Sequence, residues 1–199
     1  MKITGIYLAA GSSTRMGTNK LALKLGNKAL GNWGLEKALD SRLQEVILLS
    51  TAVNSFELSG QCTKKFTHIE VNSLNPSQSL SLKTGIEYAN TADAVVILLA
   101  DQPFITTNMI NDLIDLFIKN PSCSFVASSF QGCIQPPILI AKKLFPDILL
   151  IQGDRGAKHI LRKSLNKGIL APFYEEKLFV DIDQKKDYLF WKTQIEGNR

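Results

Sequence analysis

The sequence predicts an α/β fold in which a sheet is wound with helices on both faces, a three-layer arrangement. Two observations predict it: short apolar runs alternate with helix-period segments along the chain, and no second pattern interrupts the alternation. The first strand is the apolar run Ile3 to Ala9, and the next are Glu45 to Ser50 and Phe66 to Val71. Ala94 to Ala100 follows as the longest apolar run, and Ser124 to Ser128, Ile138 to Ile140 and Leu178 to Asp181 complete the predicted strands. The clearest helix lies after Thr106, because Ile110, Leu113, Ile114, Phe117 and Ile118 fall at i, i+3, i+4, i+7 and i+8; Asn120-Pro121 stops it. A second helix follows Gly156, with Ala157, Ile160, Leu161 and Leu165 on one face. Weaker helical patterns cover about Ala29 to Leu39, Ser79 to Ala89 and Lys185 to Lys192.

With 199 residues and 45% hydrophobic composition, the chain is long enough for one well-buried domain and short for two, so residues 1–199 read as a single domain. No apolar run approaches the roughly 18 residues that span a bilayer. Met1-Lys2 and the apolar stretch after it faintly mimic a signal peptide, but the stretch is short and contains Gly5, so a cytoplasmic protein with no membrane partner is expected. Cys62, Cys123 and Cys133 are odd in number and lack C-x-x-C spacing, which points to small buried hydrophobes rather than a disulfide framework or a zinc site. The net charge is +5, and between Lys142 and Lys167 seven basic residues face only Asp147 and Asp154. That segment is either a receiver of an anionic substrate or a solvated helix face. No basic stripe interleaved with aromatics is present, which argues against a nucleic-acid partner.

Residues 8–21 form a loop punctuated by Gly11 and Gly17 and carrying Arg15 and Lys20, directly after the first strand. Small residues let backbone N–H groups approach phosphate oxygens, and two cations just beyond can neutralise a departing pyrophosphate. The loop is not a Walker loop, since five residues separate the glycines and Lys20 comes three later, and G-x-G-x-x-G is absent. The alternative is an ordinary Gly-, Ser- and Thr-rich surface loop.

Ligands of wound sheets bind beyond the carboxyl ends of parallel strands. Gly11, Asn72 and Asp101 follow the first, third and fourth predicted strands and would converge there. Asp101 ends the most hydrophobic strand, where a carboxylate needs water or a cation, and magnesium is the natural one; otherwise Asp-Gln-Pro is simply a turn. Asp181 and Asp183, at strand period two, would project to one face and supply a second carboxylate.

The run Leu8-Ala9-Ala10-Gly11-Ser12-Ser13-Thr14-Arg15-Met16-Gly17-Thr18-Asn19-Lys20 resembles the opening motif of the MobA-like family of nucleotidyltransferases. Leu99-Ala100-Asp101-Gln102-Pro103, Gly153-Asp154-Arg155-Gly156-Ala157-Lys158 and Asp181-Ile182-Asp183 extend the resemblance over almost the whole chain. Within the family it is most similar to molybdenum cofactor cytidylyltransferases and to accessory proteins of purine catabolism that serve xanthine dehydrogenase. The resemblance implies a Rossmann-like, mostly parallel mixed sheet with an antiparallel strand. It implies Arg15 and Lys20 as phosphate cations, with main-chain contacts from Ala9, Ala10 and Gly11, and Asp101 as a Mg²⁺ ligand.

The family pattern near Asp-Ile-Asp-Thr-Pro becomes Asp181-Ile182-Asp183-Gln184-Lys185 here, and Asp181 is taken as the second ligand. Asn72, Ser81 and Gly85 resemble the segment that contacts base and ribose, although an Asn-Pro-Ser turn with a helix N-cap explains the same residues. Asp154 would face the pterin substrate at a helix N-terminus or merely cap that helix. Gln135-Pro136-Pro137 replaces the Gly-x-Pro of many relatives. His159 reads as surface and His68 carries no signal.

The implied reaction is transfer of CMP from CTP to molybdopterin-bound molybdenum cofactor with release of pyrophosphate, followed by transient contact with a recipient molybdoenzyme. Relatives that read Leu-Ala-Ala-Gly tend toward CTP and those that read Leu-Ala-Gly-Gly toward GTP, so the resemblance at Ala10 implies CTP over GTP. Two other readings share these residues: a nucleotidyltransferase for a sugar or polyol phosphate, and a carrier of the cofactor that catalyses nothing.

Overall fold

The computed structural model describes the chain except residues 12–15, 52–55, 57–64, 72–76, 152, 154–156 and 198–199, and the side chains of His159 and Lys163. A seven-stranded sheet is built from β1 (Ile3–Ala9), β4 (Glu45–Ser50), β5 (Lys65–Glu70), β6 (Ala94–Leu99), β7 (Phe125–Phe130), β8 (Cys133–Ala141) and β9 (Gly168–Pro172) in the order β5-β4-β1-β6-β8-β7-β9. β8 alone among them runs antiparallel to its neighbours, so the amino end of β8 and the carboxyl ends of the other strands share one edge. A small hairpin, β2 (Lys24–Leu25) and β3 (Lys28–Ala29), stands outside the sheet.

Helices α1 (Leu30–Leu39) and α3 (Thr107–Lys119) supply the core on one face, and α2 (Gln78–Tyr88), α4 (Phe145–Leu149) and α5 (Lys158–Lys163) the core on the other. α6 (Lys185–Gly197) joins the first face through Tyr188. The central strands are buried on both sides because Ile6, Ile47 and Val95 meet one helical layer while Tyr7, Leu48 and Val96 meet the other. The Thr106 side chain caps α3 by accepting from Met109 N at 3.2 Å, and Ser77 does the same for α2 from Leu80 N at 3.2 Å. Among the described residues no helix is long and apolar enough to cross a membrane.

The edge away from the strand carboxyl ends carries its own ion pairs. Glu45, buried at the start of β4, accepts from Lys2 Nζ at 2.8 Å and Lys65 Nζ at 3.1 Å, while Lys2 N donates to Asp93 Oδ2 at 2.7 Å.

The expected elements appear with shifted ends and one replacement, but Ile118 and Leu165, expected on the apolar faces of their helices, are exposed, and Leu165 lies beyond the end of α5 in a 3-10 turn. Residues 178–181 are not a strand: a 3-10 turn occupies Glu176–Phe179 and the chain then runs to α6 outside the sheet, Ile182 N donating to Asp101 O at 3.0 Å. The outer position in the sheet is taken by β9, which pairs with β7 from Phe125↔Gly168 to Ser129↔Pro172. Gly168 and Pro172 at its ends read as breakers in sequence. A Cβ at Gly168 would lie 2.0 Å from the Phe125 ring, so the glycine is what lets β9 pack there. Cys133 is also corrected: it is exposed at the start of β8, beyond the cover of either helical layer, whereas Cys123 is buried as expected.

A candidate nucleotide site at the carboxyl edge of the sheet

β1 and β6 are parallel neighbours with Leu8 opposite Leu99, so the chain leaves both strands at one point. Ala100 N donates to Leu8 O at 3.1 Å and holds the two exits together. A cavity of about 190 Å³ opens there, lined by Ala9, Ala10 and Gly11 after β1, Lys20, Asp101 after β6, and Gln78 and Ser81 from the start of α2. A Cβ at Gly11 would meet nothing within 4 Å among the described residues, and the residue lines the cavity.

Lys20 begins a 3-10 turn whose cap, Asn19, accepts from Leu21 N at 3.2 Å. Its ammonium lies 2.9 Å from Asp101 Oδ2 and 2.7 Å from Asp183 Oδ1. Burial works against the charge on Lys20, but the charge of Asp101 and the hydrogen bonds to Asp183 and Asp101 outweigh it and raise its pKa. The group therefore enters the cavity as a firm cation.

Asp181 behaves in the opposite sense. Partial removal from water, then the charge of Asp101, push its carboxyl up to about 6, against a lowering hydrogen bond from Gln102. Gln102 itself is buried, and its Oε1 has no hydrogen-bond partner among the described residues. Lys158 approaches the same carboxylate while donating to Gln135 Oε1 at 2.9 Å. Asp101 and Asp181 are neighbouring carboxylates of hard oxygen type, Asp181 raised first by removal from water and then by the charge of Asp101. Two such carboxylates together with substrate phosphates are a donor set that fits a divalent cation.

Ala9, Ala10, Gly11, Lys20, Ser81 and Asp101 are thus brought to one cavity, with Asp181 beside Asp101. Gly85 is not. It lies on the sheet side of α2, where a Cβ would sit 2.6 Å from Ile6 Cγ2, so close packing on β1 accounts for this glycine. Arg15, Asn72 and Asp154 lie outside the described residues. Ser81 Oγ donates back to the carbonyl of Ser77, the cap of α2, at 3.4 Å. Gln78 and the ion pair from Asp183 to Lys20 were not legible in the sequence; the only signal for Gln78 is its place directly after the cap Ser77. His68 Nε2 lies 2.6 Å from the Ser50 hydroxyl, a contact that sequence gave no reason to expect.

A wound sheet with a small-residue loop, a lysine and a carboxylate gathered at its carboxyl edge defines a nucleotide-handling protein of the nucleotidyltransferase class. The chain belongs to the MobA-like NTP transferase family, whose domain matches residues 5–168. It is 34% identical over 196 residues to the purine catabolism protein PucB of Bacillus subtilis, covering 94% of each chain. In fold it is similar to the Mycobacterium sp. strain JC1 homologue of Rv0371c, with TM-score 0.82 at 23% identity over all of both chains. A nucleotidyl transferase from Methanothermobacter is similar with TM-score 0.80 at 18% identity, covering 100% of this chain and 99% of that one. The Rossmann-like, mostly parallel mixed sheet agrees with these neighbours.

Proposed function

We propose that the protein is a cytoplasmic molybdenum cofactor cytidylyltransferase that serves maturation of a purine-oxidising molybdoenzyme. The observation that carries the reading is Lys20, held as a cation beside Asp101 at the mouth of a cavity lined by the backbone of Ala9, Ala10 and Gly11. Kinship with a purine catabolism protein supports the choice of acceptor.

In this reading an oxygen of the acceptor's terminal phosphate attacks the α-phosphorus of CTP. The bond from the α-phosphorus to the bridging oxygen breaks, and pyrophosphate leaves with the electron pair. No protein nucleophile is needed, because the work is positioning and charge neutralisation. Ala9, Ala10 and Gly11 receive phosphate and base through the main chain, and Lys20 and Arg15 balance the charge that gathers on pyrophosphate. Ser81 and Asn72 bound the base and ribose side, while Asp154 faces the pterin. Asp101 and Asp181 would hold Mg²⁺, which supplies positive charge to the phosphate oxygens when bound.

The test is incubation of purified protein with magnesium, molybdenum cofactor and equal CTP and GTP, followed by identification of the dinucleotide. Cytosine dinucleotide is expected. Guanine dinucleotide would keep the chemistry and reverse the base. Cofactor bound in equal amount without pyrophosphate release would replace catalysis by carriage, and pyrophosphate released only with a sugar or polyol phosphate would replace the acceptor.

A further inference from the structure

The segment that begins with Lys20 is gripped from the far end of the chain at two points, one at Lys20 and one at Lys24. Asp183 Oδ1 takes the Lys20 ammonium at 2.7 Å, and Tyr188 Oη donates to the carbonyl of Lys24 at 2.7 Å. The segments 20–24 and 183–188 are therefore fastened at both their ends, across 163 and 164 residues of chain.

Three details show that this is a built contact. Tyr188 is the buried residue of α6, and Phe190 and Leu189 beside it are exposed. Gln184 N donates to Asp187 Oδ2 at 2.9 Å, which starts the helix immediately after Asp183 and fixes where that carboxylate leaves the backbone. At the tip of the β2–β3 hairpin, a Cβ on Gly26 would lie 3.0 Å from Ile195 Cγ2, so the same helix also seats the turn beyond Lys24.

A lysine on a loop would spend most of its time in rotamers that miss an incoming phosphate, at a cost in side-chain entropy on each binding event. Two fasteners remove that freedom in advance, one on the ammonium and one on the main chain that carries it. We propose that Asp183 and Tyr188 are positioning residues for Lys20, and that α6 is the strut through which they act. This assigns Asp183 to the lysine, whose ammonium it shares with Asp101. The inference rests on the reading of Lys20 as the phosphate cation.

The test combines hydrogen exchange with kinetics on the full chain, using Tyr188→Phe and Asp183→Asn. Tyr188→Phe keeps the ring and removes one hydrogen bond, so deuterium uptake in the peptide spanning residues 19–25 should rise about fivefold while β9 is unchanged. Both variants should lower kcat for pyrophosphate release about tenfold, with KM for the nucleotide changed less than twofold. Unchanged uptake in residues 19–25, or a rise spread equally over all peptides, overturns the clasp. Unchanged kcat in both variants overturns the positioning role. Exchange needs no substrate, so if the wild-type protein releases no pyrophosphate from any nucleotide, the proposed function falls while the exchange data still decide the clasp.

Discussion

The amide of Ile182 donates to the carbonyl oxygen of Asp101 across 3.0 Å, and this bond brings the two acidic segments of the site together. Ile182 is fully buried, so its side chain is committed to the core below while Asp181 and Asp183 flank it nearer the surface. The alternation of a strand is reproduced without one. Asp101 meets Lys20 on one hand and the charge of Asp181 on the other.

Lys20→Ala should lower kcat by about 100-fold or more, since it removes the cation nearest the departing charge. Its circular dichroism spectrum should remain that of the folded protein. Steady-state pyrophosphate release measures this, and a rate within threefold of wild type removes Lys20 from the chemistry.

The Asp181 carboxyl, at about 6 against an ordinary 3.8, binds its proton more tightly in the folded protein than in the unfolded chain. Raising the pH through that window therefore weakens the fold, and above it the penalty stays constant. With chelator present, Asp181→Asn should melt above wild type at neutral pH, by an amount that the exposure of this residue to solvent keeps small, and the gain should fade as the pH falls toward 4. Added Mg²⁺ should stabilise wild type and not the variant. A melting difference independent of pH would contradict the assignment.

Gly85→Ala places a methyl 2.6 Å from Ile6 Cγ2 in a fully packed layer. Overpacking of this kind costs about 1–3 kcal/mol. Urea unfolding should show the loss, while KM for the nucleotide stays within twofold; a raised KM with unchanged stability would return Gly85 to the substrate site.

Glu45 is the reverse of Asp181. Burial raises its pKa, but Lys2 and Lys65 outweigh that and hold it below the usual carboxylate range. Its stabilisation is present above the unfolded value of 4.5 and is lost as the pH falls through the lower folded value. Glu45→Gln should cost about 1–3 kcal/mol at neutral pH, with the difference closing in acid. Turnover should not change.

Strong periodicity made most of the fold legible. The α3 stripe from Ile110 to Phe117 and the run Ala94 to Leu99 leave no choice of period, and both lie where they were expected. β9 was hidden because its end residues, Gly168 and Pro172, are explained by packing on Phe125 and by an edge position, which are tertiary facts. β8 reached further than Ile138 to Ile140 because Pro136 and Pro137 sit where its register with β7 breaks between Gln135 and Ile138, so neither needs a ladder hydrogen bond. At the site, the motif spacing brought Ala9 to Gly11, Lys20 and Asp101 together. The pairing of Asp183 with Lys20 depends on where Lys20 turns, which no local pattern encodes.

The ion pairs of Glu45 with Lys2 and Lys65 lie at the end of the sheet opposite the cavity. That polarity separates anchorage from turnover in the molecule. Attaching the protein to a surface or a reporter through Thr91 or Asp93, beside Lys2 and away from the strand exits, leaves the working rim facing solution. Attachment through α6 would instead load the strut that steadies Lys20.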